Sequence, residues 1–265
     1  MRVLGVINVT PDSFSDGGRF GDAEASLAQA RRLIADGADI LDIGGESTRP
    51  GAEPVAEAEE IARVVPLIAA IRAESAVPIS VDTMKPAVAR AAVAAGATMW
   101  NDVTALAYAP DSLATAAELG CEVVLMHMQG EPRTMQHEPR YADVVGEVAA
   151  VLAARAEAAM AAGVARERIW LDPGVGFGKH MTDHNLPLLA GLDRIVALGF
   201  PVLLGVSRKR FISALDGGDR DPDQRLGGSI AGALWGARAG VAAVRVHDVR
   251  ESVQALRVWS AIARS

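Results

Sequence analysis

Eight short apolar runs recur along the chain, at residues 3–7, 40–43, 78–81, 98–100, 123–126, 169–171, 202–206 and 243–246. At or just past their ends stand Asn8, Glu46, Asp82, Asn101, His127, Asp172, Ser207 with Lys209, and Arg245 with His247. Runs without polar alternation suit strands covered on both faces, as in parallel sheets. Between them lie helical patterns at 23–36, 54–72, 85–95, 111–119, 141–162, 186–198, 222–239 and 249–263. Six of these run into a glycine placed for a left-handed C-cap: Gly37, Gly96, Gly120, Gly163, Gly199 and Gly240. Strand and helix alternating eight times predict an α/β (β/α)8 TIM barrel, one domain over residues 1–265, with its chemistry at the strand ends. A doubly wound open sheet is the competing architecture.

Composition narrows the setting. The chain has 265 residues, half of them hydrophobic, enough for one large core. A net charge of -7 with no basic stripe argues against nucleic acid as a partner. No apolar run reaches membrane-spanning length, so no membrane association is expected. The one cysteine, Cys121, cannot form an internal disulfide and reads as a buried core thiol. With no charged leader and apolar segment at the start, the expected location is cytoplasmic.

Two polar loops fall at the expected rim, 8–19 and 44–52, and a third spans 129–140. Loops this long inside a barrel tend to be functional. Asp82, Asn101 and Asp172 would point into the mouth, where carboxylates can accept the adjacent N–H groups of an aminopyrimidinone edge. The competing reading makes them helix caps. Lys209 lies just after strand seven, and Arg245 and His247 end strand eight, where barrels often bind phosphate in the loops that follow; the plainer reading is a solvated basic rim. The glycine-rich stretch 172–180 fails the Walker pattern, with Pro173 and His180 at key positions. His180 and His184 lack the glutamate of a helical zinc site, since Met181 follows His180. Gly228, Gly232, Gly236 and Gly240 make a smooth helical stripe, for packing either on the barrel or across a subunit interface.

Taken together, these stretches resemble the dihydropteroate synthase family over nearly the whole chain. The resemblance rests on 8–19, 46–51, Asp82-Thr83-Met84-Lys85, Asn101-Asp102, Met126-His127-Met128-Gln129-Gly130, 172–179, Ser207-Arg208-Lys209 and Arg245-Val246-His247-Asp248. It implies condensation of 6-hydroxymethyl-7,8-dihydropterin pyrophosphate with para-aminobenzoate, giving 7,8-dihydropteroate and pyrophosphate. By that resemblance Asp82, Asn101, Asp172 and Lys209 hold the pterin, with Met126 among the substrate contacts. Arg245 and His247 hold the pyrophosphate, and Asn8 ligates Mg2+. Thr48, Arg49, Phe177 and Ser207 shape the aminobenzoate side. His127 receives no role. Two departures stand out: few residues precede the first strand to help close the barrel floor, and one extra residue separates Lys179 from His184-Asn185. A pterin-dependent methyltransferase and a catalytically silent paralogue are the rival readings. The glycine stripe suggests a homodimer.

Overall fold

The computed structural model describes residues 1–9, 18–47, 52–130 and 134–265, with the side chains of residues 18–22 left out. Thr48 and Arg49 therefore lie outside the described residues, as do residues 10–17 of the first loop. The strands are β1 (Arg2–Asn8), β2 (Ile40–Gly44), β3 (Ile79–Asp82), β4 (Met99–Asp102), β5 (Glu122–Met126), β6 (Ile169–Asp172), β7 (Leu203–Gly205) and β8 (Ala243–Val246). All pair in parallel, in the order β6-β5-β4-β3-β2-β1-β8-β7. A parallel bridge from Leu171 to Val202, beside Leu171 N–H on the Pro201 carbonyl at 2.9 Å, joins the two ends into a barrel. The predicted (β/α)8 barrel is the architecture found.

The helices are α1 (Gly18–Ala35), α2 (Glu57–Glu74), α3 (Pro86–Ala94), α4 (Ser112–Leu119), α5 (Val144–Ala161), α6 (Asn185–Ala190), α7 (Leu192–Val196), α8 (Arg210–Leu215), α9 (Leu226–Ala239) and α10 (Val249–Ile262). All six glycines expected to cap helices have positive φ. The single helix expected over 186–198 is two, divided at Gly191. A Cβ at Gly191 would stand 2.8 Å from Val145 on α5, so this break is a close approach of backbone to a packed side chain. Helix α8, only six residues long, is too short to show a helical period in sequence.

Two apolar layers result. Outward strand side chains such as Leu41, Val81, Trp100 and Leu171 pack against the helices. Inside, Leu4, Ile40, Met99, Val124, Trp170, Leu203 and Ala243 form a separate cluster across the barrel's lower end. The Leu, Ile, Val and Met side chains among them each contribute about 1.5–3 kcal/mol on burial. Below them Arg2 lies 4.3 Å over the Trp170 ring, and the Trp170 indole N–H donates to Glu122 at 3.0 Å. Trp170, with Arg2 stacked beneath it, fills the lower end of the barrel.

The glycine stripe on α9 is used within the chain. A Cβ at Gly232 would meet Val206 at 2.8 Å and one at Gly236 would meet Leu204 at 2.6 Å. Gly228 abuts Ile212. Gly240 is the left-handed cap of α9. The stripe therefore seats the helix on the β7 segment, and it supplies no argument for a subunit interface.

Candidate active site

Above the apolar floor, the inward positions turn polar: Asp42 and Ser80, then Asp82, Asn101, Asp172, Arg245, Ser207 and His247. Strand alternation explains the grouping, because Ile40, Asp42 and Gly44, or Ala243, Arg245 and His247, share one face. Gly44 and Gly205 take inward positions too. A Cβ at either would project towards Asp82 or Asp172, so these glycines leave the mouth open.

Arg245 stands within the well, below the rim where sequence placed it. Its Nε donates to Asp42 at 2.5 Å and its Nη2 to Asp82 at 2.7 Å. Burial opposes the guanidinium charge, but Asp42 and Asp82 outweigh it and hold the proton more firmly than usual. Two carboxylates share this one cation, so one of them is poorly compensated. That one is Asp82: burial, and the nearby charge of Asp42, push it up to about 7 despite Arg245. Asp42 Oδ1, Ser80 Oγ and Asp82 Oδ1 are buried and lack hydrogen-bond partners among the described residues. Unpaired buried acceptors are costly, and a donor-rich ligand removes that cost. Asp172 accepts Gly174 N–H at 2.7 Å, and burial raises it as well. Neither Asp82 nor Asn101 caps the helix that follows; α3 begins after Lys85 and has no side-chain cap.

The β7 and β8 ends meet through Ser207 and His247. The His247 backbone N–H donates to Ser207 Oγ at 3.2 Å, and the same oxygen lies 3.0 Å from His247 Nδ1. Burial, with Arg245 and Arg208 close by, lowers His247 to about 3. His247 is thus a neutral imidazole, whose one N–H can donate. Lys209, lowered to about 8 by burial, lies 4.1 Å above the Phe177 ring and feels the Asp172 charge. Before it, Arg208 has a φ of 59°, a conformation uncommon for a non-glycine residue. Its guanidinium is held by Asp248 at 2.6 Å and by Asp223.

Two further clusters went unread in sequence. Lys85 pairs with Glu60 at 2.6 Å and with Glu46, whose other oxygen accepts Val55 N–H at 3.2 Å. This buried group ties both sides of the second loop to β3. The second cluster gives His127 a partner. Lys179 Nζ stands 3.0 Å from His127 Nδ1 and 2.9 Å from the carbonyls of both Gly174 and Phe177. Burial lowers Lys179 to about 7 and His127 to about 3. Met126 is buried on β5 in register with Asp172. Asn8 ends β1, opposite Gly44.

Among the described residues no group of three or more His, Cys, Asp or Glu side chains could hold a metal by itself. The His180 backbone N–H donates to His184 Nδ1 at 3.1 Å. Cys121 is buried, as expected.

A family model described as pterin binding enzyme matches residues 4–247. The chain belongs to the dihydropteroate synthase family. Its relatives include the dihydropteroate synthases of Streptococcus pyogenes, 47% identical over 97% of this chain and 94% of that one, and of Escherichia coli strain K12, 46% identical over 98% and 91%. Among solved structures, Xanthomonas albilineans dihydropteroate synthase with 4-aminobenzoic acid is 52% identical, with a TM-score of 0.93 over all of this chain and 93% of that one. The same enzyme in complex with 7,8-dihydropteroate is 49% identical, with a TM-score of 0.90 over all of this chain and 94% of that one. The activity of the family is the chain's own: a transferase of folate biosynthesis that makes 7,8-dihydropteroate and pyrophosphate from 6-hydroxymethyl-7,8-dihydropterin pyrophosphate and para-aminobenzoate.

Proposed function

We propose that the polar layer of the barrel divides this reaction among its residues as follows. Asp82, Asn101, Asp172 and Lys209 hold the pterin, with Met126 packed beside it. The observation that carries this is the unpaired acceptor set of Asp42, Ser80 and Asp82, which an aminopyrimidinone edge would satisfy with adjacent N–H donors. Arg245 and the neutral N–H of His247 receive the pyrophosphate, while Thr48, Arg49, Phe177 and Ser207 form the aminobenzoate side. The 4-aminobenzoic acid and 7,8-dihydropteroate bound by the Xanthomonas albilineans relative support these two ligand classes here.

Asn8 suits Mg2+ as a single neutral oxygen donor: this ion keeps several waters and is commonly completed by substrate phosphates, without a protein cage. When bound, it would supply charge neutralisation at the leaving pyrophosphate. The protein does the rest. Breaking the methylene C–O bond leaves positive charge on the pterin side, which Asp82 and Asp172 stabilise, and negative charge on the pyrophosphate, which faces Arg245. The neutral arylamine attacks as it is and needs no strong general base, since the new C–N bond leaves an acidic ammonium proton that passes to the released pyrophosphate or to water. The substitution is thus loose and dissociative, and a secondary isotope effect near unity at the methylene hydrogens would count against it.

The whole chain, residues 1–265, acts as one pterin-binding domain. Among the described residues no helix is long and apolar enough to cross a membrane, and the working compartment is the reducing cytoplasm. A homodimer is supported by apolar side chains left uncovered on α9 and α10, with Val258 56% and Ile262 69% exposed beside a groove of about 430 Å³. A monomer mass by light scattering at micromolar concentration would refute it. For the reaction, pyrophosphate release is measured with each substrate alone and with both. Release only with both supports this assignment, and binding without turnover refutes it.

A further inference from the structure

Among the described residues, the most deeply buried lysine has no part in the mechanism. Lys179 is 1% exposed and sits behind the strand-six loop. An ammonium has three protons. Lys179 finds three acceptors at hydrogen-bonding distance: Gly174 O and Phe177 O, each at 2.9 Å, and His127 Nδ1 at 3.0 Å. The His127 carbonyl, at 3.4 Å, is a longer fourth. The set closes only if His127 is neutral and carries its proton on Nε2. No proton of Lys179 remains for a ligand.

The same loop is fastened throughout. Gly176 O accepts from Gln136 and Gly178 O from Tyr141, at 2.7 and 2.8 Å. Gly176 N–H donates to Asn185 at 2.7 Å. Gly174 and Gly178 have positive φ, and a Cβ at either would overlap the carbonyl of His127 or Gln129. The loop therefore lies directly on the segment after β5. Its one large side chain is Phe177, which carries Lys209 over its ring.

We propose that Lys179 is a positioning residue, locked by His127, that fixes the Phe177 ring against Lys209 and so sets the aminobenzoate side. This rests on the reading that Phe177 lines that side. Lys179 gathers the carbonyls at both ends of the turn before Phe177 and holds them to β5 through an imidazole. Loss of the ammonium frees the Phe177 backbone while leaving Asp82, Asn101 and Asp172 in place. Its signature is a selective loss for one substrate, which general loosening of the barrel would not give.

Steady-state kinetics of the full chain test this in Lys179→Met, His127→Leu, His127→Gln and Phe177→Ala. Lys179→Met and His127→Leu should each raise KM for para-aminobenzoate about tenfold or more, with KM for the pterin pyrophosphate held within about threefold. His127→Gln, which keeps an acceptor, should stay within about threefold of the parent for both. A rise in both KM values together, or none, overturns the proposal. If Lys179→Met does not fold, the two His127 variants decide by the same criterion. Phe177→Ala raising the aminobenzoate KM while Lys179→Met does not overturns the role of Lys179 alone. Phe177→Ala without effect overturns the Phe177 reading and the proposal with it. Independently, ¹⁵N imidazole spectra should show His127 protonated at Nε2 and bare at Nδ1, and a proton on Nδ1 refutes the lock.

Discussion

Replacing Asp82 with asparagine should stabilise the folded chain at neutral pH while crippling its ligand site. Asp82 is 11% exposed and shares Arg245 with Asp42, so its charge is only half compensated. An acid moved from 3.8 to about 7 keeps its proton in the folded chain over an interval where the unfolded chain has released it. Stability from Asp82 is therefore full below about pH 4 and falls as pH rises towards 7, by roughly 4 kcal/mol in all. Asp82→Asn is nearly isosteric and does not titrate. The stability difference, variant minus parent, should thus grow in the variant's favour by roughly 2–3 kcal/mol between pH 5 and pH 8. Taking the difference cancels the opposite trend from His127 and His247, whose lowered values make stability rise with pH over the same range. Urea unfolding at both pH values, followed by tryptophan fluorescence, measures it, provided the m-value is unchanged. A difference that shrinks or reverses as pH rises would refute the reasoning, because it would mean that Arg245 outweighs burial. Pterin affinity should meanwhile drop about 10- to 100-fold, the equivalent of one hydrogen bond to a charged group.

Arg245→Ala should weaken pyrophosphate binding and, by leaving Asp42 and Asp82 buried without their cation, cost about 3–5 kcal/mol of stability; unchanged pyrophosphate affinity by calorimetry refutes the first part. Gly232→Ala places a methyl 2.8 Å from Val206 and should lower stability by about 1–3 kcal/mol, read as a fall in Tm. Trp170→Ala should cost about 3–5 kcal/mol by opening the floor beneath Leu4 and Met99, with denaturant midpoints as the measure.

The barrel was legible because each strand is covered on both faces, which leaves an apolar run wherever a strand occurs. That rule also hid the most buried functional carboxylate. Asp42 lies inside the run Ile40-Leu41-Asp42-Ile43, and a charged residue interrupting such a run was the available signal. Arg245 was seen but placed too high, since sequence gives the face of a strand residue and not its depth or partner. His127 had no readable role because Lys179 is 52 positions away, joined to it by the β5–β6 crossover alone. The glycine stripe was legible as a close-packing surface but not which surface it meets: it suggested a homodimer, while its contacts lie on the β7 segment and Ile212 of the same chain. Thr48 and Arg49 stay expectations, outside the described residues.

The Trp170 floor makes the barrel a blind well with one door. Cargo that enters by the mouth must leave by it, and the deeper guest is trapped beneath the shallower one. Asp42, Asp82 and Asp172 line the shaft above that floor, where the pterin is proposed to sit. With the site residues in their proposed roles, the pterin enters before the arylamine can roof it, and the pyrophosphate leaves by the same doorway as the finished dihydropteroate. On the proposed reading, the order of entry would thus follow from a tryptophan at the opposite end of the barrel from the chemistry.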